Sequence, residues 1–230
     1  MPAPIRLAAA AWFTAWIAGG LVLGAIALAI MGADTDATLT VRQLSVMAVL
    51  SWAAFAVALY LVSVRVGTGD LVADYQIAFR PIDLLAIPAG IVLQVAVIPL
   101  LYWPLQQIWP DTFSDERLEE RAIELAERAS GGGIVLLVLV VVIGAPIFEE
   151  LVYRGLLQRS LCATIGRWKG LIVAAAWFGL IHLAPVEFPG LFVAGLTFGA
   201  ALVLTDRLGP AILTHMAFNA AGLALAFNAS

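Results

Sequence analysis

Two adjacent carboxylates, Glu149 and Glu150, close a run from Ala129 to Phe148 that contains no charged residue, and Arg154 follows four places after Glu150. At helical pitch Glu150 and Arg154 share a face and can pair. Glu149 is turned by about 100° and finds no partner in its own helix. A charge carried to bilayer depth costs about 3 kcal/mol or more, so such residues are rare and mark function. The chain has only two histidines, His182 and His215, and Asn219 lies four places after the second. A neutral imidazole beside a carboxylate can hold a water molecule and take its proton. A second imidazole and an amide can donate to a developing oxyanion. These parts suffice for hydrolysis of a peptide bond by activated water, without a covalent intermediate. Taken singly, a lone histidine or asparagine in a membrane helix is as easily an interhelical hydrogen-bonder. The Glu150–Arg154 pair reads as fixing geometry, and Tyr153 as packing or an interfacial anchor.

The elements that must position these groups are membrane helices. Of 230 residues 63% are hydrophobic and only 12% charged, with a mean hydropathy of +1.01. That is about half the charge of an ordinary soluble domain. The fold expected is an all-α, polytopic transmembrane bundle forming one integral-membrane domain over residues 1–230, with about seven spans (six to eight). The net charge of −4 and the absence of a basic cluster speak against a nucleic-acid partner. Cys162, the only cysteine, allows no disulfide within the chain.

Uncharged runs from Leu7 to Ala33 and from Gln43 to Val64 give the first two spans. The first is too long for a signal-peptide core of about 7–15 residues. Leu84 to Pro110 gives a third, expected to kink or break at Pro88, Pro99 and Pro104. Residues 113–130 are predicted to form an interfacial amphipathic helix, with Ser114 as its cap and an apolar stripe of Leu118, Ala122, Leu125, Ala126 and Ala129. Between Asp111 and Arg128 seven acids face three bases, which accounts for the whole net charge. The fourth span, from about Ile134 to Leu157, carries the acidic motif. Gly170 to Val186, Phe188 to Thr205 and Leu208 to about Phe227 complete the set. The seven tryptophans read mostly as an interfacial belt.

Depth converges where spacing alone does not. Counted from the ends expected to face the cytoplasm, Glu149 lies roughly 13 Å deep, His215 about 10 Å, Asn219 about 16 Å and His182 about 18 Å. Basic residues set the orientation: with a cytoplasmic N-terminus, seven lie in inner segments and four in outer ones. The expectation is therefore a protein of the cell membrane, N-terminus inside, with its site opening toward the cytoplasm.

Glu149-Glu150-x-x-Tyr153-Arg154-Gly155, Phe178-x-x-x-His182 and His215-x-x-x-Asn219 resemble, in order and in setting, the motifs of the CPBP family. That family comprises CAAX prenyl-endopeptidases of the Ras-converting type and prokaryotic relatives linked to bacteriocin processing or immunity. The resemblance covers the chain from about Ile134 onward, the expected catalytic core (134–230). It implies a glutamate-dependent intramembrane endopeptidase in which Glu149, assisted by His182, activates water. His215 and Asn219 would stabilise the oxyanion, and Glu150 with Arg154 would hold the geometry. No cofactor is expected. Zinc is disfavoured because no His-Glu-x-x-His helix exists and Glu149, His182 and His215 come from three helices. The partners implied are a protein or peptide substrate, lipid-modified or not, and the lipid bilayer. The short, Ala-rich form is similar to the prokaryotic branch. Two other readings stand beside it: a non-catalytic immunity or scaffold protein on the same fold, and a proton-coupled transporter. The transporter reading lacks the internal repeat that such folds commonly show.

Overall fold

A computed structural model describes residues 2–33 and 38–230. Among these residues the chain forms nine helices and no strand. Six are long and apolar enough to cross a membrane: α1 (Ile5–Ile30), α2 (Val41–Val66), α4 (Pro81–Ile108), α6 (Gly132–Ile165), α8 (Phe188–Thr205) and α9 (Leu208–Ala229). The others are α3 (Leu71–Asp74), α5 (Asp115–Glu127) and α7 (Arg167–Ile181). This is the all-α membrane bundle expected.

Local chemistry sets the boundaries. Thr40 starts α2 with a capping box, its hydroxyl accepting from the Gln43 N–H while Gln43 reaches back to the Thr40 N–H. The Ser114 hydroxyl accepts from the Arg117 N–H and starts α5, and Ala126 and Ala129 of the expected stripe are buried. Of the kink or break expected at the prolines of α4, the break does not occur. Pro81 opens the helix in a 3₁₀ turn, and the helix then runs through Pro88, Pro99 and Pro104 with a π-wound stretch at Leu93–Val97. Such local rewinding rehouses the groups that proline frees.

The span expected at Gly170–Val186 is shorter than the sequence suggests. α7 ends at Ile181 after 15 residues, about 22 Å of rise against a hydrocarbon core of about 30 Å. It still runs from one end of the bundle toward the other, so the termini lie at opposite ends. Pro2 and Ala3 share a small cleft with Asp74, Tyr75 and Arg159, whereas Phe227 packs in a cluster with Val41, Ala129 and Leu137.

The core runs the length of the chain, from Ala8 and Trp12 in α1 through Val152 to Leu157 in α6, Phe178, Phe198 and Ile212. The belt reading of the tryptophans is compatible with Trp103, Trp109 and Trp168, which are exposed. It fails for Trp12, which is buried, and for Trp16 and Trp177, which pack on the core.

Candidate active site

The two carboxylates point into different surroundings because consecutive helical residues diverge. Glu150 is fully buried and Glu149 keeps about 29% of its side chain exposed. From Glu150 to Gln158, α6 is wound as a π-helix, a form frequent at functional sites. Eight of those nine residues are buried, Arg154 and Gln158 among them.

On the buried side Glu150 is the hub. Its Oε1 lies 3.1 Å from the Arg154 guanidinium and 2.9 Å from Nδ1 of His215. Arg154 donates to the Gly195 carbonyl of α8 at 3.1 Å and lies 4.4 Å from the centre of the Phe178 ring. One turn on, Gln158 donates to the Gly199 carbonyl at 2.9 Å. A Cβ at 199 would stand 2.5 Å from Gln158 Oε1, so a larger residue there must displace that amide. The His215 ring stacks on Phe198, with centroids 4.3 Å apart. Its Nε2 reaches to 3.8 Å from Glu149 Oε2, so one imidazole touches both carboxylates.

On the open side a cavity of about 200 Å³ lies between α1, α2, α6 and α7. Glu149 and His182 both line it, with Trp16, Trp52, Phe55 and Phe148 among the remaining wall. His182 sits at the C-terminal end of α7. Its Nδ1 is 2.6 Å from the Phe178 carbonyl. That carbonyl can only accept, so Nδ1 carries the proton and Nε2 is the basic nitrogen of the neutral ring. The ring packs edge-on against Phe178, as the four-residue spacing suggested. No hydrogen bond joins His182 to Glu149 among the described residues.

The expected site residues therefore divide into two sets. Glu149, Glu150, Arg154 and His215 are brought together, and His182 shares the cavity with Glu149. Asn219, one turn beyond His215, donates its amide to the Val141 carbonyl of α6 at 2.8 Å.

The segment that holds all six residues can also be recognised by comparison. Residues 131–221 match the family model described as type II CAAX prenyl endopeptidase Rce1-like. This agrees with the resemblance drawn from the three motifs, and the matched family is one of proteases. Comparison with curated proteins and with solved structures gave no match.

Sequence reading missed the Glu150–His215 contact, Gln158, and the aromatic wall that α1 and α2 supply. A signal for the wall was present. Trp16 and Trp52 fall near the middle of Ile5–Ile30 and Val41–Val66, where a residue cannot belong to an interfacial belt.

Proposed function

We propose that the chain is an intramembrane endopeptidase of the glutamate type, acting on a protein or peptide substrate with water as the nucleophile. The observation that carries this reading is the split of the glutamate pair. One carboxylate is neutralised and buried, and its neighbour faces a cavity that it shares with a histidine.

In this mechanism Glu149 accepts a proton from a water molecule in the cavity, with His182 Nε2 as the second acceptor that orients it. The water oxygen attacks the scissile carbonyl carbon, and the carbonyl oxygen takes the negative charge. His215 answers that charge. Its Nδ1–H is held by Glu150, so its Nε2 can donate only when the ring carries its second proton. That form also gives the cluster a net charge of zero, with Glu149 and Glu150 balanced by Arg154 and His215. Neutrality matters where charges are expensive to bury. Asn219 adds its amide by its second N–H or by leaving the Val141 carbonyl. The proton on Glu149 then passes to the departing amine as the C–N bond breaks.

The same arrangement supports a reaction without a resident metal. The Glu150 oxygen that touches His215 is also engaged by Arg154, and a cation next to a carboxylate competes with a metal ion for it. The bundle would lie in the cell membrane, with the end that carries Asp74, Arg159 and Arg207 toward the cytoplasm by the positive-inside rule.

The test compares wild type with Glu149→Gln and His182→Ala in the native host, reading protein and peptide termini by mass spectrometry. Termini that depend on both residues are expected, and they name the substrate. Purified protein should keep its activity in chelator. Unchanged termini in well-folded variants would remove the peptidase reading.

A further inference from the structure

The cavity beside Glu149 has a built wall, and its maker lies outside the segment that resembles the proteases. Trp52 comes from α2, far in sequence from residues 131–221. Its indole stacks on Phe148 with planes 3° apart and centroids 5.1 Å apart, an offset arrangement. One helical turn before Phe148, Gly144 opens the space the indole occupies. A Cβ at 144 would meet the Trp52 ring at 2.1 Å. Gly144 and Phe148 thus form a slot on the catalytic helix that fixes this tryptophan one residue away from Glu149. Trp16 and Phe55 continue the apolar wall, and the ionisable pair Glu149 and His182 stands on α6 and α7.

That division suggests how a peptide would sit. The scissile carbonyl must meet the polar side, which turns one flanking side chain toward the aromatic side. The size of the space is informative. An enclosed apolar cavity of about 150 Å³ accommodates benzene, and a water molecule needs about 10–15 Å³ on the same measure. At about 200 Å³ this cavity holds one phenyl-sized group together with the attacking water.

We infer that Trp52 is the specificity-determining residue of this site. It favours a substrate side chain up to the size of phenylalanine next to the scissile bond over an indole. This rests on the endopeptidase reading above, and the experiment separates the two. Purified wild type, Trp52→Ala and Trp52→Phe in detergent are given a proteome-derived peptide library, with Glu149→Gln as the blank, and cleavage sites are sequenced by mass spectrometry. Wild type should favour Phe over Trp at one flanking position. Trp52→Ala should lower that ratio by about tenfold or more, and Trp52→Phe should fall between. Glu149-dependent cleavage with the same ratio in all three would overturn the inference and leave the endopeptidase standing. No Glu149-dependent cleavage would overturn both.

A second measurement reads the wall without catalysis. Ser51, beside Trp52 on the cavity lining, is changed to cysteine in a Cys162→Ser background and treated with N-ethylmaleimide or N-pyrenylmaleimide. The bulky reagent should react about tenfold more slowly relative to the small one, and Trp52→Ala should remove the difference. A rate ratio that ignores Trp52 would show that this residue does not bound the cavity.

Discussion

The two sides of α6 use the same residue type for opposite ends. On one side Glu150 is packed among Arg154, His215 and the α8 backbone, with every neighbour fixed by a contact. On the other, Glu149 faces open space and makes no hydrogen bond among the described residues, His215 Nε2 standing at 3.8 Å. A buried ion pair contributes little net stability, yet removing one partner leaves an uncompensated charge in a low dielectric. The buried side therefore resists change and holds register. The open side has no hydrogen bond to lose and is freer to vary, which is what a reacting group requires.

The sharpest way to break this comparison is to treat both glutamates alike. Glu149→Gln should leave thermal stability in detergent within about 0.5 kcal/mol of wild type, as for a substitution away from structural contacts. It should nonetheless reduce any cleavage by about 100-fold or more. Arg154→Met should cost about 3–5 kcal/mol, because Glu150 is then left charged and buried. Adding Glu150→Gln to Arg154→Met should recover more than half of that loss. Equal destabilisation by Glu149→Gln and Arg154→Met would show that the two sides are not distinct.

A smaller effect tests the close approach that holds the buried side together. Gly199→Ala should cost about 1–3 kcal/mol, the range for overpacking a tight interface. The added Cβ displaces Gln158 from the carbonyl it caps. Gly20→Ala is the control, since nothing lies within 4 Å of a Cβ there. Helix propensity alone favours alanine at both positions, so similar losses at both sites would mean that the α6–α8 contact does not set the effect.

Much of this was legible in the sequence, for identifiable reasons. The outlying charges in apolar runs located α6 and its pair, and α8 falls on the residues where hydropathy and the flanking Glu187 and Asp206 place it. Periodicity separated Glu149 from Glu150 without knowledge of any neighbour. What periodicity could not supply was partner choice between helices. His215 reads as an oxyanion donor by its spacing to Asn219, yet its Nδ1 is committed to Glu150. Asn219 reads the same way, yet its amide reaches Val141. The short α7 was hidden because the uncharged run continues past Ile181 into a turn. That turn is held by Tyr102, whose hydroxyl donates to the Val186 carbonyl. A residue 84 positions away leaves no local signal.

The same contrast between fixed and open reaches the end of the bundle where Asp74 sits, and there it can be read by pH. Asp74 accepts from the Ser63 hydroxyl and from the N–H and hydroxyl of Thr68, and its backbone carbonyl receives Arg159 of α6. The Ser63 hydrogen bond, with those from Thr68, holds its carboxyl below the ordinary aspartate range despite burial. A depressed native pKa means that the unfolded chain binds the proton more readily, so the contribution is complete above about pH 4. It is lost as pH falls through the native value. Asp74→Asn should therefore lower the melting temperature at neutral pH, and the gap to wild type should close as the pH falls below about 4. A gap that stays constant into acid would mean that packing against Ser63, and not the charge, anchors this end of α6. In that case the register of Glu149 would depend on the buried Glu150 side alone.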